Sequence, residues 1–495
     1  MADLKILVKN YWPLLFLIGI GALLRWFNLT QSMSFFYDQG RDALKALGIM
    51  RGKFVLVGPS ADTSGLFMGP LWYYLLVPLY FIARGNPAIV LWLISFLDLA
   101  TIPLFYIIGT RFLNKKTGLI AAFFWATGAL PVAYARTLSN PGTTAFWTLL
   151  LVYALIRISD GRQFYLILAA VCQAVLFQLN AAGAFLLFPF TTVSLILIRP
   201  KKVNRKILLI AVLIFIASFL PQVLFEIRNS FRSLNLIAKI FLSSGTKGDF
   251  FRIVWLHGEN LKFELAAYTF YGQYLLSLFI TIIAAAIFLF RTREKKLYLL
   301  WFILPLVTFL FLYTRAESHP HYVLTWVPIA IISLAGLISY LWEKHWILVV
   351  PPLALFIYFN AVGLNQEIIL KDHIAQPADP NRAGLGDQIR VLDDIYHDAG
   401  GGSFGYHTYN IVPYWEDDNW RYLFSWYGKG KYGYEPERRS GNPLYLIYEP
   451  DPYLPELKTK WLKDFRSPDK GPVVRVTNVG VYTIEKFDKR QIPVL

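Results

Sequence analysis

Apolar residues in the first 364 positions form eleven runs of about 20 residues, which short polar segments separate. A helix of this length matches the ~30 Å hydrocarbon core of a bilayer. We therefore expect about eleven transmembrane helices, at 11–30, 87–110, 117–135, 142–158, 163–180, 183–199, 206–225, 273–290, 297–314, 321–342 and 345–363. A further apolar stretch, 71–83, has only 13 residues and contains Pro78. Its length predicts a re-entrant or juxtamembrane helix.

Basic residues indicate the orientation of these helices. Lys and Arg cluster in alternate loops, at Arg111/Lys115/Lys116, Arg157/Arg162, Lys201/Lys202/Arg205/Lys206, Arg291/Arg293/Lys295/Lys296 and Lys344. Because positively charged loops remain in the cytoplasm, the N-terminus is predicted to be cytoplasmic. The segments that then lie outside are 31–86, 136–141, 226–272, 315–320 and 365–495. The first run follows two lysines and lacks a small-residue cleavage site, so we expect it to remain as a span.

The composition excludes several classes of protein. Only 16% of residues are charged and 56% are hydrophobic, whereas soluble domains carry about 25% charged residues. The net charge of +16 comes from residues 1–364, because residues 365–495 contain 17 basic and 19 acidic residues. The soluble segment thus lacks the basic charge that nucleic-acid binding requires. Cys172 is the single cysteine and can form no internal disulfide. We expect an integral, multi-pass protein of the plasma (cytoplasmic) membrane.

Residues 365–495 have the pattern of a small soluble domain. A helix is predicted over IRVLDDIYHDAG (389–400), and strands are predicted over PLYLIYE (443–449) and VRVTNVGVYTIEKF (474–487). The predicted division is therefore a transmembrane domain over 1–364 and a small extracytoplasmic α/β domain over 365–495.

Polar side chains gather where the predicted spans meet the outer face. They are Asp38, Arg41, Asp42, Arg136, Asn140, Gln178, Asn180, Arg228, Arg315, His319, His321 and Tyr322. Polar groups at one membrane face predict a site that admits a lipid from the side and a polar substrate from outside. Asp38 at the start of a short amphipathic segment is also typical of a helix cap.

Several motifs occur in an order that resembles the GT-C glycosyltransferases, and among them the protein O-mannosyltransferase and aminoarabinose transferase group (family 39/83-like). The motifs are YDQGRDA (37–43), GPLWYYLL (69–76), PLFYIIGTRFLNKKTGLIAAFFWA (103–126), YARTLSNPGTTAFW (134–147) and HYVLTWVPIAIISLAG (321–336). The resemblance covers about residues 1–345. It implies a GT-C type transmembrane domain that transfers a sugar from a polyprenyl-phosphate donor to an acceptor hydroxyl outside the cytoplasm, usually with inversion. Glycan, lipid and protein acceptors all remain open.

The resemblance also implies roles for individual residues. Asp38 matches the acidic residue of the first loop and is the expected base, since this reaction needs a carboxylate near the acceptor hydroxyl. Arg41 is the matching basic neighbour, which orients Asp38 or meets phosphate. Arg136 and Asn140 match the second outside motif. Cations must also hold the departing phosphate, and the candidates are Arg228, Arg315, His319 and His321.

Two positions depart from the family pattern and bear on metal binding. Asn140 stands where many relatives have an acidic residue, and Met68 stands where many have His or Lys. A divalent ion would therefore depend on Asp38 nearly alone, or with Asp42 or Asp62. Metal dependence stays open.

Two other functions remain alternatives. A transporter or flippase of lipid-linked sugars would have the same basic loops and lipid groove, and a catalytically degenerate relative would fit Asn140 and Met68. No internal repeat of the kind common in transporters is visible. Asp98 lies near the middle of a span, where an ionisable residue is either functional or bound to a neighbouring span.

Overall fold

The computed structural model describes residues 2–60, 65–198, 203–243, 250–312, 321–366, 384–410, 416–451 and 453–489. Two compact units make up the chain. The first unit contains Met1–Phe27, Phe54–Tyr74 and Leu93–Leu364, and the second contains Asn28–Lys53, Leu75–Trp92 and Asn365–Leu495. One boundary between the units lies at 364/365, and the division into domains over 1–364 and 365–495 stays a prediction. The second unit, however, also takes in two segments of the first predicted outside loop.

Helices account for most of the described chain up to residue 364. They are α1 (Ala2–Trp26), α2 (Tyr37–Met50), α3 (Leu71–Ile82), α4 (Ala88–Phe112), α5 (Lys115–Thr127), α6 (Ala129–Ala135), α7 (Thr144–Ser159), α8 (Tyr165–Leu179), α9 (Ala181–Ile198), α10 (Arg205–Ser218), α11 (Leu220–Arg228), α12 (Arg232–Ser243), α13 (Phe250–Tyr268), α14 (Tyr274–Arg291), α15 (Lys295–Leu312), α16 (Val327–Lys344) and α17 (Val350–Leu364). Each of the eleven predicted runs corresponds to helix, so the helical membrane architecture is confirmed.

Seven helical segments of the described chain are long and apolar enough to cross a membrane, and the bent pair α5–α6 makes up to eight. Shorter apolar helices cover Tyr11–Trp26, Leu71–Ile82 and Tyr165–Leu179. The count of eleven spans stays a prediction. The 12 residues of α3 extend only about 18 Å, which agrees with the expectation of a juxtamembrane or re-entrant helix.

The first unit packs large side chains inside and leaves apolar side chains on its surface. Trp125 and Trp301 are almost fully buried, and Trp301 stacks on Phe112 with ring centroids 6.4 Å apart. Over Arg205–Arg228, in contrast, only 6% of an apolar 18-residue window is buried. An exposed apolar surface of this extent is typical of contact with lipid, which identifies an integral membrane protein.

Asp98 forms a buried ion pair inside the first unit. Arg25 Nε donates to Asp98 Oδ2 at 2.7 Å, and Trp125 Nε1 donates to Asp98 Oδ1 at 3.2 Å. The other guanidinium nitrogens of Arg25 donate to the carbonyl oxygens of Gly21, Trp125 and Ala126. Both charged residues are at most 2% exposed. Asp98 therefore has a structural role, because it pairs with Arg25 of the neighbouring helix α1.

The second unit contains the predicted α/β domain. Its five-stranded sheet has the order β2-β1-β3-β5-β4, in which β1 pairs in parallel with β2 and β3, and β5 pairs antiparallel with β3 and β4. The elements are α18 (Leu385–Ala399), β1 (Gly405–Tyr409), α19 (Asp418–Leu423), α20 (Lys429–Tyr432), β2 (Glu437–Arg438), β3 (Leu444–Tyr448), α21 (Pro455–Phe465), β4 (Val473–Val479) and β5 (Tyr482–Phe487). These elements confirm the helix predicted over 389–400 and the strands predicted over 443–449 and 474–487.

The same unit holds helix α2, which carries Asp38. The backbone N–H of Leu385 donates to the carbonyl of Met33 at 2.7 Å, and Gln388 Nε2 donates to the carbonyl of Phe35 at 2.9 Å. Gly40 lies against the backbone of Asn419 at the start of α19, where a Cβ atom would come within 2.3 Å of the Asn419 nitrogen. The C-terminal domain therefore fixes the segment that begins α2.

We expect Gly40→Ala to destabilise the protein by about 1–3 kcal/mol, the usual range for overpacking. The added Cβ would meet backbone atoms of Asn419 and Asp418, which cannot rotate away as a side chain can. Gly48→Ala, on the same helix, is the matched control, because its Cβ would meet only Lys53 Cβ at 3.9 Å. It should raise stability slightly through better helix propensity. Thermal unfolding of both variants in one detergent tests this, and equal midpoints would contradict the tight packing of α2.

Candidate functional site

Asp38, Arg41 and Asp42 form an ion-pair cluster in the first two turns of α2. Arg41 Nη1 lies 2.7 Å from Asp38 Oδ1, and Arg41 Nη2 lies 2.8 Å from Asp42 Oδ1. The spacing of three residues places Asp38 and Arg41 on one face of the helix. The Asp38 side chain is 67% exposed, whereas that of Asp42 is 6% exposed. Asp38 is thus an accessible carboxylate next to the Arg41 guanidinium, which also pairs with the buried Asp42.

The first turn of α2 is ordered by local hydrogen bonds. The backbone N–H of Phe36 donates to Gln39 Oε1 at 2.9 Å, as in the returning half of a capping box. An acidic side chain in this turn also interacts favourably with the helix dipole. The Arg41 guanidinium lies 5.6 Å from the centre of the Tyr37 ring. Burial raises the pKa of the Tyr37 hydroxyl, which therefore stays protonated at neutral pH.

A groove of about 400 Å³ opens in the first unit. Its apolar lining is Val57, Leu66, Phe67, Met68, Phe177, Ala181, Ala182, Phe185, Phe219, Phe225, Leu234 and Ile237, and its polar lining is Asn180, Gln222, Glu226, Ser233, His321 and Tyr322. Phe185 and Leu234 are more than half exposed, so the apolar part of the groove opens to the surface of the unit. One cavity therefore combines an apolar wall with a set of polar groups.

Asn180 organises the polar lining of the groove. Its Nδ2 donates to Thr144 Oγ1 at 3.2 Å and to the backbone carbonyl of His321 at 2.8 Å, and its Oδ1 accepts from the Gly183 N–H at 3.1 Å. Three segments of the chain, at the beginnings of α7, α9 and the HYVL motif, are thereby joined at one side chain. The carboxylate of Glu226 accepts from the N–H groups of Ser233 and Leu234 and so caps α12.

Asn140 and Gln178 contact two residues that line the groove, Met68 and Gln222. Asn140 Nδ2 lies 3.0 Å from Met68 Sδ and donates to the Leu179 carbonyl at 2.7 Å. Gln178 Nε2 donates to the Ser218 carbonyl at 2.8 Å and to Gln222 Oε1 at 2.9 Å. Asn140 and Met68 are thus direct neighbours, and an amide meets a thioether at this point of the wall.

The remaining predicted residues have other positions. Arg136 is 5% exposed, and its Nη1 donates to the carbonyls of Leu24, Arg25 and Phe27, so its charge caps the end of α1. Arg228 ends α11 on the exposed surface and does not line the groove. Arg315 and His319 lie outside the described residues.

Apart from Arg136 and Arg228, the predicted site residues that the structure describes fall into two sets. Asn180, His321 and Tyr322 line the groove, with Asn140 and Gln178 behind its wall, whereas Asp38, Arg41 and Asp42 form the cluster of the second unit. The sequence did not single out the aromatic lining at Phe177, Phe185, Phe219 and Phe225, since these residues lie within runs that are apolar throughout. In the part of the chain that the structure describes, His, Cys, Asp and Glu form no group of three or more that could hold a metal ion.

Comparisons with known proteins identify the fold. No protein-family model and no curated protein match the sequence. The structure is similar to ArnT from Cupriavidus metallidurans bound to undecaprenyl phosphate, with a TM-score of 0.56 and 12% identity over 95% of this chain and 97% of that chain. The apo state of the same protein gives a TM-score of 0.57 and 12% identity over 97% and 98% of the two chains. An oligosaccharyltransferase from Archaeoglobus fulgidus in complex with Zn and sulfate gives a TM-score of 0.48 and 13% identity over 88% and 68%. The similarity to ArnT confirms the expected GT-C fold.

Proposed function

We propose that this protein is an integral membrane glycosyltransferase that moves a sugar from a polyprenyl-phosphate donor to a hydroxyl group outside the cytoplasm. The N-terminus is then cytoplasmic and the C-terminal domain extracytoplasmic, in agreement with the distribution of Lys and Arg. The acceptor is a glycan, a lipid or a protein. The fold that the chain shares with ArnT, which was solved with undecaprenyl phosphate, supports this assignment.

The groove is the observation that carries the proposal. A polyprenyl-phosphate sugar has a long apolar chain and a polar head, and it must enter the protein from the bilayer. The phenylalanine and aliphatic lining suits the chain, and the side chains of Asn180, Gln222, His321 and Tyr322 suit the polar head. The prenyl chain gains little free energy when it moves from lipid into an equally apolar groove. The polar contacts must therefore supply much of the selectivity for the head of the donor.

In the proposed reaction, Asp38 accepts the proton of the acceptor hydroxyl as its oxygen attacks the anomeric carbon. The new carbon–oxygen bond forms on the face opposite to the phosphate. The bond between the anomeric carbon and the phosphate oxygen breaks, and its electron pair leaves with the polyprenyl phosphate. This displacement inverts the anomeric centre. Arg41 orients Asp38 through their 2.7 Å ion pair, and Asp42 holds Arg41.

The departing phosphate gains negative charge, which cations stabilise in the transition state. We assign this role to His321, which lines the groove, with Arg315 and His319 as further candidates from the sequence. Arg228 does not line the groove and is not assigned to this role. We assign no step of this reaction to a divalent metal ion, because Arg41 already pairs with one oxygen of Asp38 and one oxygen of Asp42.

We expect Ala182→Trp to impair use of the lipid donor. Ala182 lines the groove, and an indole there would fill space that the prenyl chain needs. The KM for a polyprenyl-phosphate sugar should rise at least tenfold, the effect of losing about 1.4 kcal/mol of binding. Steady-state kinetics over a range of donor concentrations measures this change.

Ala217→Trp is the matched control, because Ala217 is exposed on α10 and does not line the groove. It should leave the KM for the donor near the wild-type value. An equal KM in the two variants would remove the groove as the donor site.

A further inference from the structure

The second unit contains a cavity of its own, of about 420 Å³. The end of α2, the end of α3 with the turn that follows it, and the segment from α19 to α20 supply its lining, which is Leu47, Met50, Arg51, Tyr80, Phe81, Arg84, Gly85, Tyr422, Ser425, Trp426, Lys429 and Gly430. None of these residues lines the groove of the first unit, so this cavity needs a separate explanation.

The charge of the cavity is positive. Arg51, Arg84 and Lys429 contribute three cations, and its lining contains no acidic residue. Lys429 Nζ lies 3.1 Å from Glu435 Oε1, but this exposed pair is weak. Cations that converge on one cavity without carboxylates in its wall favour an anionic ligand.

The backbone of the cavity wall is held in an unusual conformation. Arg84 has a φ of +51°, in the left-handed region that non-glycine residues rarely adopt. The Trp426 indole donates to the Arg84 carbonyl at 2.9 Å, and the Tyr422 hydroxyl donates to the Gly85 carbonyl. A Cβ atom at Gly85 would lie 2.4 Å from Trp426 Cδ1. Residues in such strained conformations cluster at binding sites.

Tyr80 contributes to the wall of the cavity through its ring. Its side chain is 1% exposed, and its hydroxyl oxygen is buried. The Tyr422 ring, which also lines the cavity, lies 5.8 Å from the Tyr80 ring between centroids. This side of the cavity therefore offers aromatic surface to a ligand.

The wall of the cavity lies close in sequence to a helix that could cross a membrane. Arg84 precedes by four residues the start of α4, a helix of 25 residues that is long and apolar enough to span a membrane. Phe81 and Ile82, at the end of α3, are 72% and 74% exposed. Exposed apolar side chains beside Arg and Trp are typical of the membrane–water interface.

We propose that this cavity binds the phosphate headgroup of an anionic membrane lipid. Arg51, Arg84 and Lys429 hold the phosphate, and Phe81 and Ile82 contact the acyl chains. This lipid is distinct from the proposed sugar donor, and the proposal does not depend on sugar transfer.

The test is native mass spectrometry of the delipidated full-length protein, titrated with phosphatidylglycerol or phosphatidylcholine in one detergent. The wild type should retain phosphatidylglycerol at least tenfold more tightly than phosphatidylcholine. The triple variant R51Q/R84Q/K429Q should lose this preference. The control K460Q/K463Q/K489Q removes three exposed lysines of the same unit that do not line the cavity, and should keep it.

Three results would overturn the proposal: an equal affinity of the wild type for the two lipids, an unchanged preference in R51Q/R84Q/K429Q, or an equal loss in the lysine control. A further arm adds soluble glycerol phosphate as a competitor. The proposal predicts that it displaces phosphatidylglycerol only at a concentration at least a hundredfold above that of the lipid. Equal competition would show that a free phosphate, rather than a lipid, is the ligand. Unchanged thermal unfolding of the triple variant excludes misfolding as the cause of lost binding.

Discussion

Replacement of Asp38 by Asn is expected to reduce sugar transfer by roughly 10²–10⁴-fold, the contribution of general base catalysis. Asn has the same shape but cannot accept the proton of the acceptor hydroxyl. Because the Asp38 side chain is 67% exposed, the loss of its ion pair with Arg41 should change stability by no more than about 1 kcal/mol. Single-turnover assays with a polyprenyl-phosphate sugar would measure the effect separately from product release.

Asp469→Asn is the matched control for this substitution. Asp469 is also an exposed aspartate of the second unit, with a side chain 72% exposed and a lysine 4.0 Å away. Its replacement should leave turnover near the wild-type rate. If Asp38→Asn retained more than about a tenth of wild-type turnover, or if both variants lost activity equally, Asp38 would not be the base.

Replacement of Arg25 by Met should destabilise the protein by about 3–5 kcal/mol, the usual cost of removing one partner from a buried ion pair. Arg25 is fully buried, and the substitution leaves the Asp98 carboxylate with Trp125 as its one remaining described partner. It also removes donors from the carbonyls of Gly21, Trp125 and Ala126. Unfolding in a mixed micelle with increasing denaturant would measure the change.

Two further variants show whether the buried charge is the cause. Arg25→Met combined with Asp98→Leu removes both charges and should recover a large part of the lost stability. Arg111→Met breaks ion pairs with Asp160 and Glu294 in which the arginine is 43% exposed, so it should cost no more than about 1 kcal/mol. Equal losses from Arg25→Met and Arg111→Met would contradict the assigned role of the buried pair.

Much of the fold could be predicted from local patterns. The apolar runs predicted the helices because a helix in lipid must be apolar over about 20 residues. The alternation in 443–449 and 474–487 predicted strands because it places side chains on one face of a sheet. The bend of 60° between α5 and α6 was not predictable. The N–H of Ala129, at that break, donates to Asn360 Oδ1 at 2.9 Å, and a partner 231 residues away has no local signal.

The candidate site could be predicted only in part, for a similar reason. Polar residues such as Asn180 and His321 stood out because they lie at the ends of apolar runs. Phe177 and Phe219 did not, since periodicity is lost in a segment that is apolar on all sides. The contact between α2 and α19 could not be predicted either, because Gly40 and Asn419 are far apart in the sequence and no local pattern links them. The capping role of Arg136 follows from contacts with three carbonyls, which charge alone does not indicate.

The most direct test of sugar transfer is turnover by the purified wild-type protein in lipid vesicles. Polyprenyl-phosphate hexoses and pentoses labelled in the sugar would be supplied together with a membrane extract as the source of acceptors. We predict release of unglycosylated polyprenyl phosphate and appearance of the label on an acceptor of the extract, with an inverted anomeric configuration. Label that stays on the polyprenyl lipid, whether it remains in one leaflet or crosses to the other, would contradict the proposed function, and movement between leaflets would identify a flippase.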